Sequence, residues 1–122
     1  MIVLVCGGRD FTNKTAAFAV LDLIDKHTGI STVIQGEARG ADTLGRQWAE
    51  ERKRVIESFP ADWEKHGKSA GYRRNTQMIE RLISWRDLGY DIGVVVFPGG
   101  KGTQHTLDLA TKHNLPIINL IR

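Results

Sequence analysis

The sequence has one cysteine, Cys6, which excludes an internal disulfide framework and fits a reducing compartment. No apolar run approaches the ~20 residues of a membrane span, so no membrane partner is expected. The opening Met1 to Cys6 is too short for a signal peptide and runs at once into Gly7-Gly8-Arg9-Asp10, which makes the cytoplasm the expected location. The four histidines, His27, His66, His105 and His113, lack metal-ligand spacing and read as surface residues. Neither a metal nor a cofactor is expected. There is no internal repeat, linker or low-complexity tract. Charge of one sign is scarce as well: 17 Lys+Arg against 14 Asp+Glu leave a net +3. That lean suits an anionic small molecule but falls short of a duplex-DNA binder, and nucleic acid is not an expected partner.

What is present is a rhythm. In 122 residues, enough for one domain spanning 1–122, apolar runs alternate with glycine-marked loops and helical patterns. Ile2 to Cys6, apolar without alternation, reads as a buried strand. A helix is predicted from Asn13 or Thr15 to about His27, ended by Gly29. Further strands are predicted over Ser31 to Gln35, Val55 to Phe59, Ile92 to Phe97 and Pro116 to Leu120. Further helices are expected over Asp42 to Arg54, Arg74 to Trp85 and Thr103 to His113, with Pro60 to Asn75 a polar loop. Strands alternating with helices imply βαβ units. The fold class is therefore α/β, a Rossmann-like three-layer sandwich: a five-stranded, mainly parallel sheet with helices on both faces.

In open parallel sheets, ligands bind beyond the carboxyl ends of the strands, where strand order reverses. Each of the first four strands runs into an unusual loop on that edge: Gly7-Gly8-Arg9-Asp10-Phe11, Gly36-Glu37-Ala38-Arg39-Gly40-Ala41-Asp42, Pro60-Ala61-Asp62-Trp63 and Pro98-Gly99-Gly100-Lys101-Gly102-Thr103. If the order is 3-2-1-4-5, the two Gly-Gly loops flank one crevice. Glycine lets a backbone approach a ligand and turn N–H groups toward an anion. The fourth loop enters a helix whose free N–H groups favour phosphate, with Thr103 expected to cap it. The order of Gly99 to Thr103 is not that of a P-loop, and neither glycine loop completes Gly-x-Gly-x-x-Gly, so a nicotinamide oxidoreductase is not expected.

Other features have plainer readings. Arg52-Lys53-Arg54 after Glu50-Glu51 reads as a solvated face with local ion pairs. Trp48 and Trp85 fit core or subunit contacts, Trp63 either stacks on a base or packs in the core, and Cys6 is a small buried hydrophobe. Met78, Ile79, Leu82, Ile83 and Trp85 put more apolar surface on one helix than a small sheet needs, which points to a homodimer.

The set Gly7-Gly8-Arg9-Asp10-Phe11, Gly36-x-Ala38-Arg39-Gly40-Ala41-Asp42, Pro60-Ala61-Asp62-Trp63 with Gly67, Ala70-Gly71 and Arg74-Asn75, and Pro98-Gly99-Gly100-x-Gly102-Thr103 resembles the YspA-like branch of the SLOG (Smf/DprA–LOG) superfamily. The resemblance runs in order over nearly the whole chain. It implies a Rossmann-like fold and a pocket for nucleotides or their derivatives, and related domains are thought to sense nucleotide signals. LOG phosphoribohydrolases carry Pro-Gly-Gly-x-Gly-Thr-x-x-Glu, whose glutamate takes part in cleaving the N-glycosidic bond. Here Thr106 holds that position and cannot act as a base.

Three readings follow. The first is binding, and with it sensing, of a nucleotide or nucleotide-derived phosphate ligand at the strand edge. Its expected lining is Gly7, Gly8, Arg9, Asp10, Gly36, Glu37, Arg39, Gly40, Asp42, Asp62, Trp63, Arg74, Asn75, Pro98, Gly99, Gly100, Gly102 and Thr103. The second is LOG-like N-glycosidic hydrolysis with a different carboxylate from Glu37, Asp10 or Asp62; Glu37 serves equally as a ribose-hydroxyl acceptor. The third is a DNA-processing accessory related to Smf/DprA, for which a basic stripe is missing.

Overall fold

A computed structural model describes residues 1–120. The chain runs β1 (Ile2–Cys6), α1 (Lys14–Thr28), β2 (Thr32–Gln35), α2 (Ala41–Glu51), β3 (Val55–Ser58), α3 (Trp63–His66), a 3-10 turn (Gly67–Ser69), α4 (Ala70–Asp87), β4 (Ile92–Val96), α5 (Lys101–Lys112) and β5 (Ile117–Asn119). All neighbouring strands are parallel, in the order β3-β2-β1-β4-β5. The chain therefore reverses its direction of growth between β1 and β4, and that is where the strand ends diverge to leave a crevice.

The sequence of β1 follows from its place. It is paired on both sides, and both its faces are covered, so all five residues are buried and none needs to be polar. Ile2, Leu4 and Cys6 face one layer with Met78, Ile79 and Leu82 of α4 and Ala110 of α5. Val3 and Val5 face the other with Ala17 and Leu21 of α1 and Leu44, Trp48 and Ala49 of α2. Ile83 and Trp85 also pack against the first layer. Much of the apolar side of α4 is thus packed within the chain, with Ile83 and Trp85 left partly buried.

Element ends differ from expectation for local reasons. Asn13 caps α1 by accepting from Ala16 N–H, and Gly29, at φ 70°, ends it. α2 stops at Glu51, short of Arg54, because Lys53 turns left-handed (φ 58°) while its N–H bonds Glu50 and that of Arg54 bonds Ala49. The arginines flanking that turn do not form a local ion-pair face. Arg52 grips Asp22 of α1 through Nε and Nη2 at 3.0 and 2.9 Å, and Arg54 pairs with Asp25 at 2.9 Å.

The stretch from Pro60 to Asn75 is not a plain loop. Asp62 accepts from Lys65 N–H at 3.1 Å and starts α3, and α4 already begins at Ala70. Gly71 is helical and lies against Trp63: a Cβ there would meet the indole at 3.4 Å. Glycine was a loop signal in the sequence; here it makes room for a ring.

Candidate functional site

The loops after β1, β2 and β4 lock together before they can hold anything. Gly8 donates its N–H to Pro98 O at 2.8 Å, and its own carbonyl accepts from Ala41 N–H at 3.1 Å. Gly40 sits at φ 81° with a Cβ position that would strike the carbonyls of Gly8 and Arg9, so only glycine lets the second loop seat on the first. A Cβ on Gly99 would likewise strike Gly8 N and the Thr103 hydroxyl. These glycines serve loop-on-loop packing. Gly100 and Gly102 are different, because a Cβ on either would meet nothing within 4 Å.

The locked loops, α4 and α5 enclose a cleft of about 400 Å³. Cys6, Gly7, Gly8, Asp42 and Met78 contribute to its lining, together with Gly100, Gly102, Thr103 and Thr106 at the start of α5. Arg9, Lys68 and Arg74 bring positive charge, and Trp63 and Tyr72, both about half-exposed, bring rings. No side chain caps α5: Gly100 is its N-cap, and Thr103 lies in the first turn rather than capping it. The Thr103 hydroxyl, on a residue 5% exposed, has no partner among the described residues.

The polar groups of the cleft divide by how they are held. Arg74 donates through Nη1 to Gly36 O at 2.5 Å and through Nε to Asn75 Oδ1 at 2.9 Å, and burial lowers its pKa. Asn75 passes the chain on, with Nδ2 donating to Gly102 O at 3.2 Å and meeting His105 Nδ1 at the same distance. His105 stacks edge-on with Tyr72, so it belongs to this wall rather than to open surface. Arg9 lies 5.7 Å over the Trp63 ring and forms no hydrogen bond among the described residues. Asp42 accepts through Oδ2 from Gly36 N–H at 3.1 Å and Ala38 N–H at 3.3 Å, and burial lifts its pKa to about 6. Cys6, buried beside it, has its thiol pushed well up, which fits an inert core residue.

The remaining expected residues lie elsewhere on the same edge. Gly36 and Glu37 line a smaller depression of about 140 Å³ that shares Arg9, Ala38, Trp63 and Arg74 with the cleft. Glu37 is left-handed at φ 58°, an unusual state for a residue with a side chain. The Asp10 side chain is 99% exposed and stands 3.9 Å from Arg39, which is also largely exposed. Asp62 is spent on the α3 cap. Pro98, Gly99 and Gly40 support the lining from behind through the contacts above. Sequence reasoning missed Lys68, Tyr72 and Met78. Lys68 and Tyr72 sit on the turn and helix start that the sequence reads as a loop, and Met78 reads only as apolar helix surface.

An open parallel sheet with a cleft at its switch point defines the class: this is an α/β Rossmann-like domain. Comparison with known proteins narrows it. The YspA, cpYpsA-related SLOG family matches residues 1–66, which hold the first three loops. "Gene 61 protein" of Mycobacterium phage D29 is 35% identical over 125 residues, covering 96% of this chain and 94% of that relative. The chain belongs to the YspA, cpYpsA-related SLOG family. Among the described residues, no group of His, Cys, Asp and Glu could hold a metal, and no helix is long and apolar enough to cross a membrane.

Proposed function

We propose that the protein binds a nucleotide or nucleotide-derived phosphate ligand in the cleft between β1 and β4, and does so without turnover. The observation that carries this reading is the uncapped start of α5. Its first N–H groups and the Thr103 hydroxyl, without a partner among the described residues, border a space that also receives Arg9 and Lys68. A phosphate would satisfy those donors together and meet the positive end of the helix. The exposed Trp63 and Tyr72 offer faces for a base. Membership of the SLOG family points the same way.

Turnover has less support. Thr106 is 1% exposed and donates to Gly102 O at 3.4 Å, so it braces α5 and supplies no acid or base. Asp10, Glu37 and Asp62 do not line the cleft. One observation does favour hydrolysis as a second reading: Asp42 lines the cleft with a pKa of about 6, near the range of a general base. Calorimetric titration with the common nucleoside monophosphates, followed by chromatography of overnight mixtures, tests both. Binding with no free base supports the proposal; base release that disappears in Asp42→Asn replaces it with the second reading; no binding removes the cleft as a nucleotide site.

A further inference from the structure

Asp42 is the only carboxylate that lines the cleft among the described residues, and it is only half used. It is 5% exposed, and both of its hydrogen bonds fall on Oδ2, from Gly36 and Ala38 N–H. Among the described residues, Oδ1 has no hydrogen-bond partner and no guanidinium lies within ion-pair distance of the carboxylate. Oδ1 is therefore the acceptor that Asp42 can offer to a donor entering the cleft.

Its place along the cleft says what that would be. At one end, Thr103 lies against Gly99, and Gly99 lies against Gly8. Gly8 in turn accepts from Ala41 N–H, next to Asp42. Asp42 holds Gly36, whose carbonyl receives Arg74. At the far end, Gly71, one turn before Arg74 on α4, lies against Trp63. The order is anion-seeking helix start, carboxylate, aromatic ring. A nucleotide has the order phosphate, sugar, base, and the group that falls beside the carboxylate is the sugar with its hydroxyl donors.

We infer that Asp42 Oδ1 accepts a hydrogen bond from a ribose hydroxyl and makes the cleft selective for ribonucleotides over their deoxy counterparts. The inference rests on the reading of the cleft as a nucleotide site and adds the sugar and the residue that reads it. It also moves the hydroxyl acceptor from Glu37, which lies in the neighbouring depression, to a residue inside the cleft. A site built to bond a hydroxyl discriminates strongly against an analogue that lacks it, because the charged acceptor is then left buried and alone.

The test is calorimetric titration of the four ribonucleoside 5′-monophosphates and their 2′-deoxy and 3′-deoxy forms at pH 8. At least one deoxy form should bind about tenfold or more weakly than its parent, the size of a hydrogen bond to a charged group. In Asp42→Asn the amide oxygen can still accept from Gly36 and Ala38, while the amide NH2, a donor, replaces the free acceptor. Parent and deoxy forms should then bind alike. Should that variant not fold, the wild-type ratio is followed from pH 8 to pH 5. Asp42 faces Arg9 from the loop after β1, Arg74 from α4 and the Cys6 thiol from β1. The ratio should shrink as the carboxyl protonates near pH 6. Titration of the ligand phosphate, at roughly the same pH, affects both forms equally and cancels. Equal binding of parent and deoxy forms in the wild type, a preference that persists in Asp42→Asn, or a ratio unchanged down to pH 5 overturns the inference and leaves the nucleotide reading standing. Failure of all four ribonucleotides to bind overturns that reading, and the inference with it.

Discussion

Charged residues are used in opposite ways on the flanks of the sheet and in the cleft. On the flanks, carboxylates and guanidinia meet in close pairs, although Arg54 Nε is left buried without a partner among the described residues. Asp22 takes both arms of Arg52 and the Trp48 indole N–H at 2.8 Å, and these bonds hold its pKa below the ordinary value. Glu57 of β3 takes both arms of Arg81 and the N–H of Trp85, with the same consequence. In the cleft, partners are partial: Arg9 lies over a ring without a hydrogen bond among the described residues, both hydrogen bonds to Asp42 fall on one oxygen, and burial raises its pKa more than Arg74 and Arg9 lower it. Satisfied charges tie helices to the sheet. Charges left short of partners on a concave surface are what a ligand can complete.

Removing a partner from each region should separate the two roles. Asp22→Ala strands the fully buried Trp48 N–H and the guanidinium of Arg52. Urea denaturation should show a loss of about 1–3 kcal/mol with ligand affinity unchanged. Asp42→Asn should do the reverse to stability. A carboxyl whose pKa rises on folding from 3.8 to about 6 adds stability below the lower value, and that contribution is lost as pH climbs through the upper one. The wild type should therefore lose up to about 3 kcal/mol from this group between pH 4 and 8, at ~1.4 kcal/mol per pKa unit, and the asparagine variant should not. Asp22 and Glu57, with lowered values, work in the opposite sense: their stability is present at neutral pH and fades as acid takes the pH below the ordinary carboxylate range. A melting-temperature profile that is flat in the wild type from pH 5 to 7 would mean that burial does not load Asp42.

Much of this architecture was legible in the chain. β1 and β4 declare themselves as central strands, because burial on both faces demands apolar residues without alternation. The four strand-end loops were legible as one edge, since parallel strands put all their carboxyl ends on the same side. What could not be read was which residues point inward. Asp10 and Arg39 look like site residues beside their glycines, but the turn sends both outward. Lys68 and Tyr72 reach the cleft only because Gly67 and Gly71 belong to a turn and a helix packed around Trp63. The partners of Arg52 and Arg54 lie on α1, some thirty residues back, at a range that helical spacing does not reach.

Smaller effects sharpen the contrast further. Gly100 keeps φ at −103° with open space beyond its Cβ position, so Gly100→Val should fold normally. The added side chain would stand at the start of α5 and should weaken nucleotide binding about tenfold, roughly 1.4 kcal/mol, in calorimetric titration. Arg39→Met should change neither affinity nor stability by more than about 0.5 kcal/mol, because an exposed pair at 3.9 Å contributes little. A marked loss of affinity there would extend the site onto the outer rim.

The division between structural and ligand-facing charge is tested most directly by one paired measurement, affinity and urea stability on Arg9→Met and Arg81→Met. Arg9→Met should lose about tenfold or more in affinity for a bound nucleoside monophosphate, the scale of a charged hydrogen bond, with stability close to wild type. Arg81→Met should keep its affinity and lose stability, since Glu57 is left with only the Trp85 N–H. Full affinity in Arg9→Met, or the two variants trading places, would contradict the assignment of the cleft to a phosphate-bearing ligand.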